Sequence, residues 1–187
     1  AFVQWDYVGG SSIVSRGLDG TSHVPTVGSY HLIGKSAHDQ TCFTQGYVVN
    51  DGYLYESCGL YGRSSLRKID MKTGAVVKYY ADFGDKVFAE GITVMGDRLY
   101  MLTWQSRHLY VFDLELKHEF TTRFHSHRGE GWGLTSDGEH LIVTDGSSRI
   151  LYLKAPMKAT EDATKVKELV VLDDSDEGER KSLRESG

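Results

Sequence analysis

The sequence lacks the features that mark nucleic-acid-binding and membrane-spanning proteins. Its formal net charge is −5, so no excess of basic residues favours a nucleic-acid surface. No apolar run approaches the ~20 residues that a helix needs to span a bilayer. We therefore expect neither nucleic acid nor a membrane as a partner.

Cysteine is scarce, with Cys42 and Cys58 as the only two in the chain. They flank one predicted hairpin, so a disulfide is geometrically conceivable within the usual Cα separation limit of ~7 Å. The alternative, two small buried thiols, is the interpretation we favour from sequence. Two cysteines do not by themselves establish a cellular compartment.

The two ends of the chain carry the least information. Residues 1–28 begin with Ala and show no charged-then-apolar signal pattern, and their structure is left open. Residues 173–187 open with the acidic run "DDSDEGER", which predicts a solvated, disordered tail. Residues 29–172 are the predicted folded region.

Proline is also scarce, with two residues, whereas glycine (21) and tyrosine (11) are abundant. Short runs of Tyr, Val and Thr between glycines favour strands and turns over helices. Three turn glycines, Gly52, Gly96 and Gly138, lie in similar surroundings and recur at intervals of about 45 residues. Each lies between two strand-like runs, and two further runs follow it.

This repeat predicts an all-β fold built from four-stranded antiparallel units. Four short strands that recur every ~45 residues are typical of the blades of a β-propeller. A sandwich or an irregular barrel is the alternative, but neither demands a fixed period. We therefore predict a β-propeller with three blades visible in the chain.

The repeat also places polar and aromatic residues from all three blades at one end of the predicted central channel. The first strand of each blade lines that channel, so residues at the same offset before the turn glycine should converge. Gln45 and Glu90 share this offset and each precedes a glycine, while Glu130 and Trp132 lie within a residue or two of it. An acid, an amide and an indole would form a polar pocket with an aromatic wall.

Several long motifs in this region resemble one known family. The segments "FTQG", "LYESCGLYGRSSLRKIDMKTG", "FAEGIT", "GDRLYMLTW" and "GEGWGLTSDGEHLIVTDGSS" are similar to the plant- and bacterial-type glutaminyl-peptide cyclotransferases, also called glutamine cyclotransferases. They follow that family's order and spacing from about His38 to Leu153. The resemblance implies a five-bladed propeller that converts the N-terminal glutamine of peptides or proteins to pyroglutamate and releases ammonia. It also implies a secreted, endomembrane or periplasmic location.

The resemblance assigns roles to matching positions. Glu90 matches the catalytic acid, and Gln45 matches the pocket glutamine. The aromatic pocket residues are matched by Phe43, Phe88, Trp104 and Trp132. One carboxyl could serve first as general base and then as general acid, and hydrophobic surroundings would raise its pKa. Indole N–H groups and the Gln45 amide could bind the developing negative charge on the substrate carbonyl. No metal and no cofactor is required.

The sequence departs from the family pattern after Leu153. Family members continue through two more blades, which supply a pocket asparagine, a late tryptophan and a lysine; here Asn50 is the only asparagine. We therefore expect a chain truncated after the third blade, whose open blade faces are apolar and promote self-association. On this expectation the isolated chain would have little activity.

Other readings of the chain remain alongside the enzyme. A catalytically silent propeller could serve as an interaction module. A cupin-like metalloenzyme is a further alternative, with His125, His127 and Glu130 in "HSHRGE" as candidate metal ligands. Exposed edge histidines are the simpler interpretation. Tyr61 and Arg63 in "GLYGRSS" are expected to stabilise a loop between strands.

Overall fold

The computed structural model describes residue 35 and residues 37–171 in full. Beyond these it describes the backbone of six short strands, in residues 2–6, 15–16, 22–23, 29–34, 172–174 and 180–182. The chain divides into two compact units. One comprises Ala1–Asp39 with Asp174–Glu179, and the other comprises Gln40–Asp173 with Arg180–Gly187. Most of the predicted N-terminal segment and acidic tail lies outside the described residues.

The first unit contains two antiparallel strand pairs. Strand β1 pairs with β4, and β2 pairs with β3. Their bounds are β1 Phe2–Asp6, β2 Ser15–Arg16, β3 Ser22–His23 and β4 Ser29–Gly34.

The second unit contains three four-stranded antiparallel sheets, each formed by consecutive strands. The first sheet has the order β5-β6-β7-β8, the second β9-β10-β11-β12 and the third β13-β14-β15-β16. The first sheet comprises β5 Thr44–Asn50, β6 Tyr53–Cys58, β7 Ser65–Asp70 and β8 Val76–Tyr80. The second comprises β9 Ala89–Met95, β10 Arg98–Thr103, β11 His108–Asp113 and β12 His118–Arg123. The third comprises β13 Leu134–Ser136, β14 His140–Thr144, β15 Arg149–Lys154 and β16 Thr164–Val170.

These sheets are the three predicted blades of a β-propeller, and the all-β prediction is confirmed. The three repeated glycines lie in the turns between the first and second strands of each blade. Their φ angles are 75° at Gly52, 64° at Gly96 and 91° at Gly138, which L side chains rarely adopt. A further two-stranded pair joins β17 Leu172–Asp174 to β18 Arg180–Ser182. Among the described residues, no helix has the length and apolar character needed to span a bilayer.

The middle blade packs both of its faces against its neighbours. Along β10, Leu99 and Met101 belong to the apolar cluster shared with the first blade. The alternate residues Tyr100 and Leu102 belong to the cluster shared with the third blade. Because successive side chains of a strand point to opposite faces, one apolar run fills two cores.

Candidate active site

The first strands of the three blades approach one another closely at two glycines, Gly46 and Gly91. A Cβ atom built on Gly46 would lie 2.7 Å from the backbone nitrogen of Ile92, and one on Gly91 would lie 2.5 Å from that of Leu134. The N–H of Gly91 donates to the carbonyl of Trp132 at 2.9 Å. Only glycine permits these two approaches. A Cβ on Gly46 would also lie 3.1 Å from Cα of Gly91, and one on Gly91 would lie 2.9 Å from the carbonyl carbon of Gly133, so the three glycines hold the same relative position in their blades.

This register aligns the residues that precede the three glycines. Gln45, Glu90 and Trp132 are therefore the equivalent positions of the first, second and third blades. Glu130 lies two residues earlier, in the segment that leads into β13. The backbone alignment predicted from the repeat is therefore found in the structure, and the roles of these side chains in one site stay predictions.

Glu90 is a buried carboxylic acid at the start of β9. Only 4% of its surface is exposed. Burial raises the pKa of the Glu90 carboxyl from 4.5 to about 8, and the charge of Glu130 adds to the increase. The hydroxyl of Ser57 donates to the backbone carbonyl of Glu90 at 2.6 Å and fixes this strand end to the first blade. The direction of the pKa change agrees with the sequence-based expectation.

A continuous row of aromatic rings lines this end of the blades. It contains the four predicted aromatic residues and one that the sequence reasoning assigned to a loop. Ring centroids are 6.4 Å apart for Phe43 and Phe88, 5.7 Å for Phe88 and Trp104, and 6.1 Å for Trp104 and Trp132. Most contacts are edge-to-face, the geometry that aromatic pairs favour. We call these residues, with Tyr61, the aromatic wall.

Tyr61 is the member of the wall that sequence reasoning missed. Its ring lies 5.4 Å from that of Phe88 and 6.3 Å from that of Trp104, measured between centroids. It is 48% exposed, so it stands at the solvent edge of the wall. The available signal was an aromatic residue within the long "GLYGRSS" motif, beside a glycine.

The two indole N–H groups of the wall have different environments. The Nε1 atom of Trp104 is buried and has no hydrogen-bond partner among the described residues. The Nε1 atom of Trp132 donates to Oε2 of Glu130 at 3.1 Å. In this structure the Trp132 N–H is therefore engaged by Glu130, and its binding to a substrate carbonyl stays a prediction.

Gln45 and Phe88 pack on either side of Gly59, which explains the glycine at that position. A Cβ atom on Gly59 would lie 2.3 Å from a ring carbon of Phe88 and 2.8 Å from Cγ of Gln45. It would also lie 2.5 Å from the backbone carbonyl oxygen of Ala89, so any side chain there would force these neighbours to move. Gly59 is therefore a packing requirement of the site that sequence reasoning did not identify.

Cys42 and Cys58 form a disulfide with a Cα–Cα distance of 5.0 Å. The interpretation favoured from sequence, two buried thiols, is wrong, because the hairpin brings the two residues within bridging range. The bridge lies next to Phe43, whose carbonyl accepts the N–H of Gly59 at 2.8 Å. It therefore fixes the entry of β5, which carries Gln45, against the end of β6.

The two histidines of "HSHRGE" each interact with a different acidic residue and share no partner in these ion pairs. Nε2 of His125 lies 3.6 Å from Asp162, and Nε2 of His127 lies 2.7 Å from Glu168. Both histidines are exposed. Glu130 points instead to Trp132 and, at 3.4 Å, to Nε2 of Gln105. This arrangement does not favour the cupin-like alternative.

Comparison with known proteins identifies the family. A profile of the glutamine cyclotransferase family matches residues 8–177. The glutaminyl-peptide cyclotransferase of Arabidopsis thaliana is 37% identical over 164 residues, which cover 86% of this chain and 48% of that protein. Glutaminyl cyclase from Myxococcus xanthus has a similar structure, with a TM-score of 0.63 at 28% identity over 82% of this chain and 60% of that one. The structure of U3-55K shares the fold alone, with a TM-score of 0.53 at 14% identity over 71% and 41% of the two chains. The chain spans about half the length of its curated relative, and it belongs to the glutamine cyclotransferase family.

Proposed function

We propose that this chain carries the acid–base site of a glutaminyl-peptide cyclotransferase that forms pyroglutamate from the N-terminal glutamine of peptides or proteins. The observation that carries the proposal is Glu90, a buried carboxyl whose pKa is raised to about 8. An unperturbed α-amino group has a pKa of about 7.7–8.0. A carboxyl and an amine with similar pKa values can exchange a proton at little cost, which is the requirement for acid–base catalysis near neutral pH.

The proposed reaction uses one proton that Glu90 takes up and returns. The α-nitrogen of the substrate attacks the γ-carboxamide carbon and forms the new C–N bond, while Glu90 removes the proton from that nitrogen. Glu90 then donates a proton to the amide nitrogen as its bond to carbon breaks, and ammonia leaves. The carboxylate is restored, so atoms and charge balance without a metal or a cofactor.

Trp104 and Gln45 are the groups that we assign to the substrate carbonyl. The buried Nε1–H of Trp104 has no partner among the described residues, and leaving such a donor unsatisfied costs about 1–3 kcal/mol. A substrate oxygen that accepts this hydrogen would remove that cost and stabilise negative charge as it develops. Phe43, Phe88 and Trp132 enclose the glutamine side chain and favour its ring-like pose.

The test is ammonia release from a glutaminyl dipeptide, with pyroglutamate identified by mass spectrometry. With the chain joined to the two further blades of the family fold, wild-type protein should produce both, and Glu90→Gln should lose nearly all turnover while it keeps its fold. Glu139→Gln, at an exposed turn of the third blade, removes one acid outside the site and should retain activity. Turnover of Glu90→Gln within a few-fold of wild type would remove Glu90 from the mechanism.

Chelation separates this proposal from metal-dependent cyclisation. Every role above belongs to an organic side chain, so incubation with a chelator should leave turnover unchanged. Time-dependent loss of activity that zinc restores would contradict the assignment.

The disulfide supports an oxidising compartment for the protein, as family resemblance suggests. Bridges such as Cys42–Cys58 persist in secreted, endomembrane and periplasmic proteins and are rare in the cytosol. Thiols are alkylated before and after reduction, on protein isolated from its source. Both cysteines should react only after reduction. Two freely alkylated cysteines would contradict this proposal.

An interaction role has one observation in its favour. Large apolar side chains are exposed on the first and third blades, including Tyr47 and Val49 on β5 and Val166 and Leu169 on β16. Exposed apolar patches often mark association sites. Light scattering tests self-association, and a monomer at all concentrations would argue against it.

A further inference from the structure

Glu130 lies beside the proposed catalytic acid but has no role in the reaction described above. Its side chain is half-buried. Oε2 accepts the indole N–H of Trp132 at 3.1 Å, and Oε1 lies 3.4 Å from Nε2 of Gln105. The carboxylate thus joins the aromatic wall to the loop that follows β10.

The backbone around Glu130 is fixed to both halves of the site. The Glu130 carbonyl accepts the hydroxyl of Ser126 at 2.7 Å. The N–H of Gly131 donates to the carbonyl of Trp104, and the carbonyl of Trp132 accepts the N–H of Gly91, each at 2.9 Å. The segment is therefore tied to the residue that follows Glu90 and to the tryptophan with the free N–H group. This leaves the Glu130 carboxylate a restricted range of positions.

The electrostatic surroundings of Glu90 single out Glu130. Among the described residues, Glu130 is the charged group that acts on the Glu90 carboxyl. Its charge is the second contribution to the raised Glu90 pKa, and burial is the larger one. From β6 the neighbouring group is the neutral hydroxyl of Ser57. Two guanidinium groups lie in or against this segment: that of Arg107 packs against Gly129, and that of Arg128 donates to the carbonyl of Gly146 at 3.4 Å.

We propose that Glu130 is a positioning residue of this site, which holds the Trp132 ring in the aromatic wall and places a second negative charge beside Glu90. The inference rests on the proposed function for its catalytic meaning. The two effects are separable, because a glutamine at position 130 keeps an oxygen that can accept the indole N–H but carries no charge. An alanine removes both.

The first test does not depend on activity. The titration of Glu90 is followed by NMR of protein labelled at the glutamate carboxyl carbons, with the signal assigned by its absence in Glu90→Gln. In Glu130→Gln the midpoint of Glu90 should fall by about one pH unit and stay above 4.5, because burial remains. Glu139→Gln should leave it in place. A midpoint that does not move in Glu130→Gln overturns the electrostatic part of the proposal.

The second test follows the Trp132 ring. Its indole N–H signal is assigned with Trp132→Phe, and its exchange with solvent is measured. Exchange should stay slow in Glu130→Gln and accelerate at least tenfold in Glu130→Ala, with Glu130→Asp between them. Equal exchange in Glu130→Ala and wild type overturns the positioning part. If Glu130→Ala unfolds, as judged by circular dichroism, the Asp variant decides.

Activity then connects the two results to catalysis. In a cyclising enzyme, the acid limb of the pH profile of kcat should move to lower pH in Glu130→Gln by the same amount as the NMR midpoint. An acid limb that stays in place while the NMR midpoint moves would contradict the proposed role of Glu90 and leave the position of Glu130 established. The two proposals can therefore fail separately.

Discussion

Replacement of Glu90 by glutamine should make the stability of the protein less sensitive to pH. The folded protein keeps the Glu90 proton up to about pH 8, whereas the unfolded chain releases it near 4.5. Between these values the folded state binds the extra proton, so the free energy of unfolding falls as pH rises. The stabilising contribution is fully present below pH 4.5 and is lost as pH passes through about 8.

The size of the effect follows from the pKa change. At about 1.4 kcal/mol for each pH unit, moving the pKa from 4.5 to about 8 corresponds to a destabilisation of a few kcal/mol, on the order of 5 at most. A neutral glutamine avoids this cost because it has no proton to release. Relative to wild type, Glu90→Gln should therefore gain stability from about pH 5 to about pH 8, and the difference should level off above that pH.

Urea unfolding of both proteins at pH 5, 7 and 9 provides the assay, with the disulfide kept oxidised. Glu139→Gln serves as the control for the loss of one acidic residue at an exposed position. A difference in unfolding free energy between Glu90→Gln and wild type that stays constant across this range would refute the reasoning. It would show that Glu90 is not held as a buried acid.

Three further predictions concern packing, the disulfide and the free indole. Gly91→Ala should destabilise the protein by about 3 kcal/mol in urea unfolding, because its Cβ would meet backbone atoms of the third blade at 2.5 Å. The control, Gly96→Asn, lies in an open turn and should be tolerated. Equal destabilisation by the two substitutions would contradict the packing argument. Replacing Cys42 and Cys58 together by serine should cost about 3 kcal/mol, since the bridge closes a loop with a sequence separation of 16; an unchanged melting temperature would argue against a stabilising bridge. Trp104→Phe should keep the ring contacts but lower kcat about 10- to 100-fold with little change in KM, and a change in KM alone would indicate that the indole N–H acts only in binding.

The blades could be predicted from the sequence because their causes are local. The alternation of apolar residues along β10 involves neighbouring residues of a single strand. The positive φ angles of Gly52, Gly96 and Gly138 each belong to one tight turn. Such local features can be recognised in a single sequence, and they recur in each blade. The positions of strands, turns and the convergence of Gln45 with Glu90 all follow from that repeat.

The features that the sequence did not reveal depend on contacts between distant segments. Whether Cys42 and Cys58 form a bridge depends on the geometry of β5 and β6. The place of Tyr61 in the aromatic wall depends on Phe88 and Trp104, which lie in another blade. The hydrogen bond of the Trp132 indole could not be predicted for a different reason. Its acceptor, Glu130, lies only two residues away, but sequence spacing does not give the direction of the Glu130 side chain.

The repeat also explains where function can reside in such a fold. Gly46, Gly91 and Gly133 hold equivalent positions, and at Gly46 and Gly91 the first strand of the next blade leaves no room for a side chain. The residues just before them lie at the same offset and carry a side chain in each blade. They differ in every blade, as Gln45, Glu90 and Trp132, so the same offset carries an amide, an acid and an indole. A symmetrical backbone thus creates three equivalent positions, and the chemistry of the site arises from the differences among the side chains that occupy them.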